Sequence, residues 1–268
     1  MADLNGKVAL VTGAARGQGR SHAVGLARDG ADIIAIDICG PIRNLPYQHA
    51  TADELADTAD QVKNLGRQVI ALEIDVRDLA ALRDGVDGAV ERLGRLDIVV
   101  ANAGICIPSA WDQVAPDVWR DTIDINLTGA WNTVSVGGPH VVAAGGGSII
   151  LISSAAGLRA QPFLAPYVAS KFGLTGLAQM LSLELASHHV RVNSIHPTGV
   201  RSPMGSGNTG MHELIAANPK LGGVFQNALD VQTVECEDVT HAIRFLVSPE
   251  ARFITGLAMT VDAGTTRM

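Results

Sequence analysis

The chain has 268 residues, 47% of them apolar and 18% charged, with 29 Gly and only two Tyr. Its net charge of −7 argues against a nucleic-acid or anionic-membrane partner. Cys39, Cys106 and Cys236 are far apart with no C-x-x-C pair, which excludes a disulfide framework and a cysteine zinc site and suits a reducing, cytoplasmic compartment.

Along the chain, Val- and Ile-rich runs alternate with helical patterns. Residues 7–12, 32–37, 68–74, 96–101, 148–153 and 190–195 read as buried strands, and 259–261 as a seventh. Helices are predicted at 19–29, 52–65, 79–93, 116–136, 167–186 and 238–247. Near-continuous apolar strands separated by helices imply a parallel sheet covered on both faces. The expected class is therefore α/β, a single Rossmann-type doubly wound parallel seven-stranded sheet. No linker divides residues 1–268, so one dinucleotide-binding and catalytic domain is expected. The start of the chain lacks a basic segment followed by an apolar core, and no apolar run reaches about 18 residues, so neither a secretory signal nor a membrane span is expected.

Two segments break the βα rhythm. Residues 38–50 (ICGPIRNLPYQHA) form an insertion with two Pro after the second strand, and 199–233 form a Pro- and Gly-bearing flap. Long loops inside a compact domain are more often functional than idle.

The first strand runs into Thr12-Gly13-Ala14-Ala15-Arg16-Gly17-Gln18-Gly19, followed directly by a helix. Glycines there let the backbone approach a pyrophosphate at the positive helix end, although a plain tight turn has the same composition. Asp37, at the end of the second strand and next to Ile38, would accept hydrogen bonds from both adenosine ribose hydroxyls and repel a 2′-phosphate, which favours NAD over NADP. Arg16 could meet a 2′-phosphate, but Asp37 opposes that. Asp75, followed by Val76, is placed for an adenine amino group. Asn102, Ala103 and Gly104 end the fourth strand, where a backbone can pass close to a cofactor or simply turn.

Tyr167 and Lys171 are one helical turn apart, on one face. An ammonium beside a phenol favours phenolate, so the Tyr167 pKa is expected to fall towards the range a general acid/base needs. Ser154 closes the fifth strand at the sheet edge where ligands bind, with Ser153 as its rival. Asn126 lies in the middle of a predicted helix, where Asn is disfavoured; it marks either a buried kink or water site, or an exposed position. No metal ligand set is expected.

TGAARGQG, ANAG, Asn126, Ser154, Tyr167 and Lys171, together with Asn193-Ser-Ile-His-Pro197-Thr-Gly199, resemble the single-domain branch of the short-chain dehydrogenase/reductase family over essentially the whole chain. Ala101 and Thr198 depart from that family's commoner NNAG and Pro-Gly. The resemblance implies Tyr167 as proton donor and acceptor and Ser154 as the residue orienting the substrate oxygen. It implies that Lys171 binds the nicotinamide ribose and tunes Tyr167, and that Asn126 holds a relay water. It places residues 195–202 on the nicotinamide side, with Pro197, Thr198, Gly199 and Val200 as cofactor contacts, and it implies a homotetramer. Asp37-Ile-Cys-Gly-Pro41-Ile, Tyr47, Ala52-Asp-Glu-Leu and HPTGVRSPM are similar to the mycofactocin-associated subgroup, exemplified by carveol dehydrogenase; Arg201 departs from its pattern. That similarity implies that the insertion covers the adenosine end of a bound NAD, re-oxidised in place by an external redox carrier, mycofactocin. The alternative is a surface excursion.

Met204, Met211, Leu214, Ile215, Leu221, Val224 and Phe225 in the flap, with Trp111, could accept a hydrophobic ring or merely pack a helix. Only Arg201 and Lys220 are cationic in the flap, so a small neutral terpenoid or alicyclic secondary alcohol and its ketone are expected as substrate and product. A 3-oxoacyl or steroid reductase with exchangeable NAD(H) comes next. A non-catalytic NAD-binding scaffold would have no need of Ser154, Tyr167 and Lys171 together.

Overall fold

Side-chain alternation along seven short strands decides the architecture. The computed structural model describes residues 3–207 and 209–268. β1 (Val8–Thr12), β2 (Asp32–Asp37), β3 (Val69–Glu73), β4 (Ile98–Ala101), β5 (Gly147–Ile152), β6 (Val190–Pro197) and β7 (Ala258–Val261) pair in parallel, in the order β3-β2-β1-β4-β5-β6-β7. The predicted α/β class and doubly wound parallel sheet are what the chain forms.

The helices are α1 (Gly17–Arg28), α2 (Ala52–Asn64), α3 (Leu79–Leu93), α4 (Pro116–Ile123), α5 (Gly129–Ala143), α6 (Ala165–Glu184), α7 (Pro203–Gly207), α8 (Thr209–Ala217) and α9 (Cys236–Val247). Ala9 and Val11 of β1, Ile33 and Ala35 of β2, and Ile150 and Ile152 of β5 face a core closed by α1, α2 and α9. Their sequence neighbours Val8, Leu10, Ile34, Ile36, Ile149 and Leu151 face the opposite core, closed by α3, α5 and α6. A period of two along each strand thus fills two cores, each rich in aliphatic side chains. The sheet order reverses between β1 and β4, and the connections leaving those strands diverge and open a crevice at their carboxyl ends.

Three local expectations are corrected. The predicted helix 116–136 is broken by a π-helical turn at Asp124–Thr128 and then runs on through Pro139 to Ala143. The flap, read as a loop, folds into α7, α8 and a 3-10 turn at Pro219–Phe225. β6 extends two residues beyond its predicted end, because His196 and Pro197 pair with Thr260 and Val261 of β7.

At the amino end of the sheet, Asp97 is buried and accepts from Lys7 Nζ (2.9 Å), Val8 N (3.1 Å) and the Arg95 guanidinium (2.6 and 2.8 Å). Burial alone would raise its pKa, but bonds from Arg95, Lys7 and Val8 outweigh that and hold the carboxyl below its ordinary value. A depressed folded pKa means stability that is present above the unfolded carboxylate value and lost as pH falls through the folded one. Asp97→Asn is expected to cost about 1–3 kcal/mol at neutral pH. It should also flatten the acid-side decline of Tm, measured by thermal melts between pH 7 and the folded pKa.

Candidate active site

The cradle follows from what glycine alone can do between β1 and α1. Gly13 and Gly17 have φ of +68° and +55°, and a methyl on Gly19 would lie 1.9 Å from the Gly13 carbonyl oxygen. Thr12 Oγ1 accepts from the backbone N–H of Asn102 and of Ala103 (3.1 Å each), and Asn102 Nδ2 donates to the Thr12 carbonyl (2.8 Å). These bonds lace the ends of β1 and β4 together. They edge a cleft of about 950 Å³ that opens to solvent. Gly13, Arg16, Gly17, Gln18 and Gly19 line it, as do Asp37, Ile38, Asp75, Val76, Asn102, Ala103 and Gly104.

Asp37 is anchored by Ala15 N on Oδ2 (3.0 Å) and Cys39 N on Oδ1 (3.3 Å). Burial pushes its pKa up, while those N–H groups and Arg16 pull it down. Arg16 lines the cleft but is already engaged by partners in the insertion and α2. Its guanidinium donates to the carbonyls of Gln48 and His49 and lies 3.8 Å from Glu54. Asp75 is held by Arg77, at 2.6 Å in their ion pair. Gln18 contributes a buried Oε1 with no hydrogen-bond partner among the described residues. An anchored carboxylate, an unpartnered amide oxygen and an arginine committed elsewhere fit a dinucleotide whose adenosine ribose carries free hydroxyls.

Residues 38–50 are no surface excursion. Ile38, Gly40, Ile42, Leu45, Tyr47, His49 and Ala50 all line the cleft. Ile42 and Leu45 pack on a third apolar cluster containing Val76, Ile105, Ile107, Val118 and Ile125. Asn44 Nδ2 donates to Asp117 (3.0 Å), Arg43 lies 3.5 Å from Asp121, and the Tyr47 hydroxyl accepts from Cys106 N (3.3 Å). On its other side Tyr47 meets α7: a methyl on Gly207 would fall 2.3 Å from the Tyr47 Cβ. Tyr47 of the insertion thus touches the flap at Gly207.

At the carboxyl end of β5, Ser153 and Ser154 take different roles. Ser153 is buried and donates to the Lys171 carbonyl (2.9 Å), which fastens α6 to the strand. Ser154 has extended backbone, its Oγ accepts from Ala156 N (3.1 Å), and its side chain acts on the Tyr167 phenol to lower its pKa. Lys171 is 4% exposed; its Nζ lies 5.4 Å from the Tyr167 ring centroid and donates to the Ile152 carbonyl (2.8 Å).

The expected lowering of the Tyr167 pKa is corrected. Burial pushes the phenol above its ordinary value, Cys106 and Tyr47 push the same way, and only the Ser154 bond opposes them. Burial also draws the Lys171 ammonium down to about 8. Desolvation dominates both groups.

Asn126 sits on the π-helical turn, fully buried. Its Oδ1 accepts from Ile105 N (2.8 Å), and its Nδ2 donates to Ile105 O (2.9 Å) and Ser170 Oγ (3.2 Å). The exposed alternative falls away, and one acceptor position on Oδ1 is left. Gly104 joins this group to the cleft: a methyl there would sit 3.3 Å from Asn126 Oδ1 and 3.6 Å from Lys171 Nζ.

Pro197, Thr198, Gly199 and Val200 lie outside the lining of this cleft, as do Ser154, Tyr167 and Lys171. They continue β6 beyond the catalytic end, where Thr198 Oγ1 donates to Asn227 Oδ1 (2.8 Å) and Val200 pairs with Val234. Of the predicted flap wall only Met204 reaches the cleft, beside Ser202 and Pro203, and Trp111 is 86% exposed. Sequence reasoning sets His196 only within the stretch on the nicotinamide side and gives it no role of its own; its ring bonds the Ser154 carbonyl (2.8 Å). A histidine between two apolar positions of a strand was its only signal.

Residues 7–212 match the family model described as short chain dehydrogenase. The chain is a short-chain dehydrogenase. It is 50% identical to the (-)-trans-carveol dehydrogenase of Rhodococcus erythropolis, over 99% of both chains. A short chain dehydrogenase from Mycobacterium paratuberculosis, solved bound to NAD, superposes with a TM-score of 0.97 at 47% identity, covering 99% of this chain and 100% of that one. Carveol dehydrogenase from Mycobacterium avium in complex with NAD gives a TM-score of 0.93 at 46% identity over 100% of both. Among the described residues of this short-chain dehydrogenase, no cluster of three His, Cys, Asp or Glu could hold a metal, and no helix is long and apolar enough to cross a membrane.

Proposed function

We propose that this short-chain dehydrogenase oxidises a hydrophobic cyclic secondary alcohol to its ketone, with NAD held beneath residues 38–50. The observation that carries the reading is the placing of Lys171 Nζ 5.4 Å from the Tyr167 ring centroid, with Ser154 at the carboxyl edge of the sheet acting on the same phenol. The likeness to proteins named carveol dehydrogenase supports a cyclic terpenoid alcohol as substrate class.

Gly13, Gly17 and Gly19 would admit the pyrophosphate, Asp37 would hold the adenosine ribose, and Asp75 would face the adenine. When bound, NAD supplies the acceptor for the hydride of the carbinol carbon. Ser154 would hold the alcohol oxygen, and Tyr167 would take its proton. Lys171 would bind ribose hydroxyls and favour the phenolate by its charge, against the desolvation that raises Tyr167. Asn126 keeps one acceptor position for a water between Lys171 and bulk. Pro197, Thr198, Gly199 and Val200 would flank the nicotinamide.

The insertion's contacts support a cofactor that leaves slowly, and we propose its re-oxidation in place by an external redox carrier such as mycofactocin. Trp131 on α5, with Phe172, Met180 and Leu183 on α6, presents exposed apolar surface, which supports assembly into a homotetramer; the compartment we propose is the cytoplasm. The test is turnover of a panel of cyclic alcohols by protein purified without added cofactor, comparing free NAD with an artificial electron acceptor. Turnover with the acceptor and NAD recovered from the denatured protein are expected. Rapid exchange with free NAD would remove the retained-cofactor part, and no oxidation of any alcohol would remove the whole reading.

A further inference from the structure

His196 has no place in the proton transfer derived above, yet it is fully buried directly behind the residue meant to hold the substrate oxygen. It lies in β6, where its backbone pairs with Thr260 of β7. Its Nδ1 is 2.8 Å from the Ser154 carbonyl oxygen and its Nε2 is 2.8 Å from Ser194 Oγ. A carbonyl oxygen can only accept, so Nδ1 carries the hydrogen. In the neutral ring Nε2 then accepts from the Ser194 hydroxyl. Burial favours that neutral form, as does the nearby Lys171 charge, against the Ser154 bond and Asp262.

The Ser154 carbonyl also accepts from Gly157 N at 2.8 Å. With the His196 bond, both of its acceptor positions are filled, which fixes the peptide plane following Ser154. The Ser154 side chain then leaves the main chain from a held backbone, with Oγ steadied by Ala156 N. Histidine is unusual here because a carbonyl at a strand end normally meets another backbone group or water. An imidazole tied at both nitrogens adds a rigid brace reaching from one strand to the next.

We propose that His196 is a positioning residue for catalysis, a neutral imidazole that clamps the Ser154 carbonyl and so aims the Ser154 hydroxyl at Tyr167 and the substrate oxygen. The inference rests on the acid/base reading of Ser154 and Tyr167. It has a consequence that a merely structural histidine would lack. The Ser154 bond is what opposes the rise in the Tyr167 pKa, so loosening Ser154 should move the basic form of Tyr167 to higher pH. The other groups facing the phenol are Lys171 on its own helix, Cys106 after β4 and Tyr47 from the insertion; the substitutions below alter none of them.

The side-chain amide nitrogen of Asn overlays the Nδ1 position of histidine, whereas that of Gln overlays Nε2. His196→Gln thus removes the donor to Ser154, and His196→Asn retains it. With a cyclic alcohol as substrate, His196→Gln is expected to lower kcat about tenfold at pH 7. Its rising pH–rate limb should shift upward by about half a unit, with bound NAD content unchanged. His196→Asn should recover most of the lost rate and the parental pH midpoint. Parental kcat and pH profile in a folded His196→Gln variant would overturn the proposal, as would equal losses in both variants with no shift in pH midpoint. If His196→Gln does not fold, Ser194→Ala, which frees the far end of the ring, should give a smaller loss with the same upward shift; an unshifted profile there overturns the proposal. Ser154→Ala separates the two levels. If it retains parental turnover, the acid/base reading itself fails; if it loses turnover while His196→Gln does not, only the clamp fails.

Discussion

Tyr167→Phe is expected to lower alcohol oxidation by about 10³-fold or more, within the range a general acid/base contributes, while the protein still carries its cofactor. Phenylalanine keeps the ring that packs beside Lys171 and Cys106 and removes only the oxygen that meets Ser154. Loss of turnover with NAD content and melting temperature preserved would therefore isolate the proton step. Turnover within about tenfold of the parent would dismiss Tyr167 as the base. The parent's pH dependence carries the matching sign. Burial raises the Tyr167 pKa, so oxidation, which needs the phenolate, should climb with pH. Ketone reduction, which needs the phenol, should hold up at lower pH.

Tyr47→Ala is the second large effect, and it is expected on cofactor release rather than on chemistry. The tyrosine ties residues 38–50 both to the loop after β4, through Cys106 N, and to α7, through the close approach of Gly207. Removing the ring should cost the closed cover about 1.5–3 kcal/mol of buried contact, equivalent to NAD leaving about 10- to 100-fold faster. Tyr47→Phe, which loses only the 3.3 Å bond, should change release by no more than a few-fold. The measurement is displacement of bound NAD by an isotopically labelled excess, followed by mass spectrometry. Parental release from Tyr47→Ala would mean that the insertion does not gate the cofactor.

What the sequence revealed follows the reach of local periodicity. Near-continuous apolar runs such as residues 7–12 marked strands buried on both faces, and the structure divides them between two cores, Ala9 and Val11 in one and Val8 and Leu10 in the other. Likewise i,i+4 spacing brought Tyr167 and Lys171 together. The π-helical turn was hidden, because it inserts one residue into a pattern that continues to look helical on both sides. Pro139 lies exposed inside α5 against its propensity, so a proline there does not end the helix as its composition suggests. The sign of the Tyr167 shift was also out of reach: a neighbouring charge is visible in a sequence, whereas desolvation is a property of everything folded around it. The role of His196 was missed because its partner is a main-chain carbonyl, a group that every residue carries and no motif records.

The π-helical turn at Asp124–Thr128 has a consequence for how this wall of the site tolerates change in chain length. An ordinary helix advances about 100° per residue. Deleting one residue within 124–128 would regularise the helix and swing Asn126 by about that angle, away from Ile105. Most point substitutions nearby leave the residue count alone and should be tolerated if they fit. A single-codon deletion should disarm the site while improving the helix that carries it. Catalytic geometry on this wall is thus held by a count of residues as much as by their identity.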